Sequence, residues 1–173
     1  RKEGWSIRPQ ITTFDLEGKT LGVLGMGRIG TAVARKASYG FGMKVLGYRR
    51  NLPGDICADY GILTSDLDKV IRNSDFLSIH LPYTKDTFHL VSREKLELMK
   101  PDAYLLNLGR GEVVDQAALR ELLLSNRLAG AALDVFEGEI PDADDPLLHM
   151  DQVIATPHIA GLSKQAMERL SYQ

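Results

Sequence analysis

The first residues that point to a ligand are Gly25-Met26-Gly27-Arg28-Ile29-Gly30, set between an apolar run and the helical pattern TAVARKASYG. A GxGxxG in that position suits a dinucleotide: Gly25 allows the tight turn, Gly27 lets the backbone approach a pyrophosphate, and Gly30 permits close helix–strand packing. The amides at the start of the helix would then face the anion. Such glycines can also serve packing alone, but here strand, loop, helix and next strand follow in the order that binding requires. The second cluster is Arg49-Arg50-Asn51, which closes the apolar run VLGY about twenty residues further on, where the fingerprint calls for a carboxylate. That acid would hydrogen-bond the ribose 2′-hydroxyl of NAD and repel a 2′-phosphate. With guanidinium groups in its place the slot favours NADP; the alternative is that both arginines are solvated and that Asp55 or another group serves NAD.

These residues need elements to position them. Strand candidates are 20–24, 43–48, 76–80, 103–108, 130–135 and 152–155, with a weaker one near 61–63, and several are apolar on both faces, as strands of a covered parallel sheet must be. Helical patterns lie between them at 28–40, 66–73, 92–99, 115–125 and 163–170. Asp66, Ser92, Asp115 and Ser163 stand where each could cap a helix start. The alternation predicts an α/β fold, a doubly wound parallel sheet with helices on both faces, because parallel strands need helical crossovers. Ligands of such sheets bind outside the carboxyl ends of the strands.

Composition narrows the function further. The chain has 173 residues, 44% hydrophobic and 25% charged, and a net charge of −2, with its arginines scattered, so neither a nucleic-acid partner nor a membrane is expected. Cys57 is the single cysteine, and no apolar run reaches bilayer length, which reads as a soluble protein of a reducing compartment, the cytoplasm. Asp142, Asp144 and Asp145 lack the spacing of a calcium loop and are read as a solvated acidic loop, with no metal expected. The chain begins at Arg1 without an initiator Met and stops inside a helical stretch, as a piece of a longer protein would.

Beyond the glycine loop, five stretches stand in one order: LEGKTLGVLGMGRIG at 16–30, HLPYTKDTFHLV at 80–91, LNLGRGEVVDQAAL at 106–119, GAALDVFEGE at 130–139 and TPHIAG at 156–161. Together they resemble the D-isomer-specific 2-hydroxyacid dehydrogenases over almost the whole chain. The resemblance implies a Rossmann-type cofactor domain at 16–162, with 1–15 as the connection from a substrate domain and 163–173 as the start of the helix returning to it. It also implies hydride transfer between a nicotinamide and a small 2-oxo or 2-hydroxy acid, such as glyoxylate or hydroxypyruvate, by an enzyme that is usually a homodimer.

Hydride transfer to a 2-oxo acid needs a cation for the substrate carboxylate, a proton donor beside the carbonyl oxygen, and a group that tunes the donor. The resemblance assigns these roles to Arg110, His158 and Glu139. A guanidinium fork suits a planar carboxylate, and imidazole, with its ordinary pKa near 6.5, suits proton donation at neutral pH. Only the family's spacing separates Glu139 from Glu137, which is read as a solvated loop acid; His80, His89 and His149 are read as structural or surface residues. Asp134 matches the family's nicotinamide-side carboxylate. Arg28, Ile29, Leu81, Pro82, Leu108, Gly109 and Ala160 complete the expected cofactor groove, which His158 would also border. The other readings are a D-3-phosphoglycerate dehydrogenase-like enzyme and a non-catalytic NAD(H)-sensing corepressor-like module.

Overall fold

Leu21 to Leu24 are all buried, so the strand they belong to must be covered on both faces, a condition met by a central strand of a parallel sheet. The computed structural model describes residues 13–50 and 62–170. It contains β1 (Thr20–Leu24), β2 (Lys44–Tyr48), β3 (Ile62–Thr64), β4 (Phe76–Ile79), β5 (Tyr104–Asn107), β6 (Gly130–Leu133) and β7 (Val153–Ala155). These pair in the order β3-β2-β1-β4-β5-β6-β7, each pair parallel, as the doubly wound reading predicts. The chain leaves β1 in one direction toward β2 and returns on its other side as β4. Connections therefore diverge over β1, and the crevice that opens there is where such sheets take ligands.

Helices α1 (Arg28–Phe41), α2 (Leu67–Asn73), α3 (Arg93–Leu96) and α4 (Gln116–Leu124) lie in connections between strands, and α5 (Lys164–Leu170) follows β7. Successive strand residues point to opposite faces, and two cores result. Leu21, Val23 and Val45 pack with Ala34 and Ala37 of α1, whose small side chains let the helix lie close. Leu24, Leu77, Ile79 and Leu105 pack on the other side with Val70, Ile71, Leu119 and Leu123 from α2 and α4.

The helix ends show why the chain turns where it does. Asp66 accepts from the Lys69 amide at 2.9 Å, Asp115 from Ala118 at 2.9 Å and Ser163 from Ala166 at 3.1 Å, three of the four expected caps. Ser92 occupies the cap position but makes no capping bond, because its hydroxyl donates to the Glu94 carboxylate two residues on. The helix expected over 92–99 is correspondingly short, Arg93–Leu96, and continues as turns. α1 ends on Gly42, whose φ of 64° lets its amide reach back to the Ala37 and Ser38 carbonyls. Asn51, Asp55 and Cys57 lie outside the described residues. No described helix is long and apolar enough to cross a membrane.

Candidate active site

The glycine loop follows β1 directly. Gly25 has a φ of 101°, and a Cβ there would lie 2.7 Å from the His80 carbonyl oxygen, so the turn after β1 is pressed against the end of β4. A Cβ on Gly30 would lie 2.1 Å from the Gly25 carbonyl oxygen, which is the close helix–strand approach expected of the third glycine. Gly27 is different: a Cβ there would meet nothing within 4 Å. It forms the N-cap of the 14-residue α1 without any side-chain capping bond, leaving the first-turn amides open to an anion. Ile29, 69% exposed beside it, and Leu108, 38% exposed after β5, offer apolar surface at the strand ends. Two glycines that must be glycine, and a third that faces open space at an uncapped helix start, fit a dinucleotide phosphate. Arg28 and Pro82 are exposed at the same ends, and Leu81 is half-buried.

The loop after β5 carries Arg110. Asn107, 1% exposed, holds it: its Oδ1 accepts from the Gly109 amide at 3.1 Å and its Nδ2 donates to the Arg110 carbonyl at 3.0 Å. Gly109 is pressed against β4's exit, where a Cβ would lie 2.7 Å from the Leu81 carbonyl oxygen. The exposed Arg110 guanidinium donates to the Gly109 carbonyl at 2.8 Å. Gly111 is tighter still. A Cβ there would fall 2.0 Å from the Phe136 carbonyl carbon and oxygen, so the Arg110 turn touches the backbone of the loop after β6.

That loop begins at Asp134, 3% exposed. Its carboxylate accepts from the Thr156 hydroxyl at 2.6 Å and from the Ile159 and Ala160 amides, each at 2.8 Å. The chain leaving β7 thus wraps around one buried acid, with exposed His158 at the crest. His158 has a φ of 54° and Glu139 one of 67°, both left-handed, at a cost on the order of 1–3 kcal/mol each that the surrounding bonds must hold. Burial alone would push the Asp134 carboxyl up. The Thr156, Ala160 and Ile159 hydrogen bonds, with the nearby His158, outweigh it and hold the group below its ordinary value.

A carboxyl lowered by folding stabilises the protein above its unfolded pKa and loses that contribution as pH falls through the folded value. Asp134→Asn removes the charge and gives the loop amides a weaker acceptor. Denaturant melts are expected to show about 1–3 kcal/mol lost at pH 7 and a smaller further loss below about pH 4 than in the parent. Some acid sensitivity should persist, because Asp75, bonded by the Thr20 amide and Lys100, is also lowered. An unchanged acid limb would show that Asp134 does not hold the loop.

Arg110, Glu139 and His158 come from the exits of β5, β6 and β7 and line one cavity of about 180 Å³ with Tyr83 and Phe136. Phe136, Glu139 and His158 also border a second cleft of about 420 Å³, walled by Ile140, Pro141, Leu148 and Pro157. Among the described residues no hydrogen bond joins Glu139 to His158; both line the same cavity. Arg49 and Arg50 are exposed past β2, and Arg50 pairs with Asp86 at 2.8 Å across the exit of β4.

Two expectations need correction. Glu137 is not a solvated loop acid: the His89 imidazole lies 2.6 Å from its Oε1, and its amide donates to Gln116 at 2.9 Å. Asp145 is 8% exposed and held by Arg120 and Gln116, so the acidic loop is anchored at that residue. His89 accordingly has a specific partner, whereas His80 stays a strand-end residue bonded to Ser78 at 2.9 Å, its pKa lowered by burial. Gln116 and Gly111 were not singled out in the sequence, since their partners lie in a loop 20 or more positions away. Asn107 left a faint signal, a polar residue ending an apolar strand.

Comparison with known proteins agrees with this geometry. Residues 1–160 match the family described as D-isomer specific 2-hydroxyacid dehydrogenase, NAD binding domain. A glyoxylate reductase of Korarchaeum cryptofilum is 45% identical over 158 residues, which cover 91% of this chain and 47% of that protein. The D-lactate dehydrogenase of Aquifex aeolicus, solved with NAD and lactic acid, superposes with a TM-score of 0.87 at 37% identity, over 94% of this chain and 53% of that one. An acyclic imino acid reductase solved with NADPH and D-arginine also gives 0.87, at 35% identity, over 99% and 53%. The chain spans about half the length of these proteins. With a matched family region reaching from the first residue to Ala160, and the glycine loop and strand-end site in place within it, the chain belongs to the D-isomer-specific 2-hydroxyacid dehydrogenase family, as its NAD-binding domain.

Proposed function

We propose that the protein containing this chain reduces a small 2-oxo acid, such as glyoxylate or hydroxypyruvate, and that it favours NADPH. In this reading 16–162 is the cofactor domain, and 1–15 and 163–173 lead to and from a substrate domain. The observation that carries the proposal is the convergence of Arg110, Glu139 and His158 on one cavity at the strand ends. The nicotinamide cofactor, when bound, supplies the hydride. Arg110 holds the substrate carboxylate with its planar fork. His158 gives a proton to the carbonyl oxygen as the carbon accepts the hydride, so the ketone becomes a secondary alcohol and the imidazole is left neutral. Glu139, in the lining of the same cavity, is the group placed to orient the imidazole. Asp134, with Gly25, Gly27, Gly30 and Ala160 around the groove, belongs to the cofactor side of the site.

Support for NADPH is the pair Arg49 and Arg50 at the slot where NAD-specific relatives of the fingerprint carry an acid. Arg50's bond to Asp86 is an exposed ion pair, 53% and 70% accessible, of a kind worth about 0–1 kcal/mol, which a dianionic phosphate can displace. The glyoxylate reductase likeness supports the substrate class. A homodimer is the expected assembly, read directly by light scattering of the full-length protein.

The test is an assay of the full-length protein with glyoxylate, hydroxypyruvate and other 2-oxo acids, each with NADH and NADPH. Turnover of a small 2-oxo acid, with NADPH the better donor, is expected. Cofactor binding without turnover of any acid would replace the reductase with a nucleotide-sensing module. Tight binding of NADH with no preference for NADPH would end the NADP assignment alone.

A further inference from the structure

The loop after β6 is held from outside at both ends by one side chain. Gln116, the first residue of α4, accepts from the Glu137 amide through Oε1 at 2.9 Å and donates through Nε2 to Asp145 Oδ2 at 3.1 Å. The orientation is forced, because a backbone N–H only donates and an ionised carboxylate only accepts. Arg120, one helical turn on, adds two bonds to Asp145 at 3.0 and 3.3 Å, and Asp145 accepts from the Leu147 amide at 2.9 Å. At the other end the Glu137 carboxylate takes the His89 imidazole at 2.6 Å. That ring is stacked on Phe88, with centroids 4.0 Å apart and planes 13° from parallel, and its residue has a left-handed φ of 46°. An imidazole fixed by stacking and by an unusual backbone is aimed at one target.

Between these anchors, 138–144 is a short span, exposed except at half-buried Pro141, closed by the Glu139 amide on the Phe136 carbonyl at 3.2 Å and the Ile140 amide on the Gly138 carbonyl at 2.8 Å. It carries Glu139, which lines the cavity shared with His158 and Arg110. We propose that Gln116 and His89 are positioning residues: by pinning Glu137 and Asp145 they hold the span so that Glu139 stays in the lining of the cavity it shares with His158. The inference rests on the role given to Glu139 above.

The test is a double-mutant cycle in the full-length enzyme. Gln116→Leu keeps the side chain's bulk and removes both bonds. It is expected to lower kcat about 10- to 100-fold, as a displacement of about 1 Å in a reacting group does, with cofactor KM and the melting transition nearly unchanged. Glu139→Gln should lower kcat by itself, and the double variant should be no slower than Glu139→Gln, since Gln116 then has nothing left to position. His89→Ala, the second entry to the clamp should Gln116→Leu fold poorly, should behave alike, and His89→Gln, which restores a donor toward Glu137, should recover part of the loss. Full kcat in Gln116→Leu and His89→Ala, or losses that multiply with that of Glu139→Gln, would overturn the clamp while leaving Glu139 in the mechanism. An unaltered kcat in Glu139→Gln would remove the mechanistic reading and the clamp together.

Discussion

Replacing His158 with alanine in the full-length protein is expected to lower kcat for a 2-oxo acid by about 10²–10⁴-fold, the range that a positioned general acid contributes. Cofactor affinity should change little. The reason lies in how the residue is held: the loop after β7 is fastened to Asp134 by the Thr156 hydroxyl and the Ile159 and Ala160 amides, and none of those bonds uses the imidazole. The glycine loop, separated from β7 by β4, β5 and β6 in the sheet order, is equally untouched. The ring can therefore be removed without loosening its own loop or the glycine loop. Stopped-flow reduction at saturating cofactor, with dinucleotide binding followed by fluorescence, separates the two quantities. Turnover within a few fold of the parent would remove His158 from the proton transfer, whereas a parallel collapse of cofactor binding would make it a cofactor ligand first.

How much of this was legible in the sequence depended on whether a residue's partner was near it in the chain. Strands covered on both faces announced themselves as unbroken apolar runs, and the caps Asp66, Asp115 and Ser163 were readable because the amides they serve lie three residues on. Ser92 failed for an equally local reason, a glutamate two residues away that its hydroxyl prefers. The placing of Arg110, Glu139 and His158 followed from strand ends once the sheet was parallel, so topology plus family spacing sufficed. Glu137 was misjudged because the partner that engages it, His89, lies 48 positions earlier. Nothing in DVFEGE marks which of its two glutamates is tied down; the answer is in the loop after β4 and at the start of α4. Arg50 is similar: its arginine was readable as a cofactor determinant, but its ion pair with Asp86, 36 positions on, was not.

The same contact between loops makes Gly111→Ala the most damaging small substitution expected in the site. Here the new Cβ would stand 2.0 Å from the carbonyl carbon and oxygen of Phe136 and 2.4 Å from the Glu137 amide nitrogen, all backbone atoms. The peptide between Phe136 and Glu137 cannot yield locally, because Glu137 is bonded to Gln116 and His89 on its other side. Either the Arg110 turn or the Glu139 loop must shift, and both carry groups of the cavity. Overpacking of this kind costs about 1–3 kcal/mol in stability, a modest loss. The effect on chemistry is larger: a shift of about 1 Å in reacting groups lowers turnover on the order of 10²-fold, and here Arg110 and Glu139 are separated together. KM for the oxo acid should rise with the fall in kcat, since Arg110 is the group proposed to hold the substrate carboxylate, while dinucleotide binding at Gly25–Gly30 should persist. Steady-state kinetics beside a thermal melt would check this, and a variant with ordinary kcat and KM would show that the two loops do not depend on that contact.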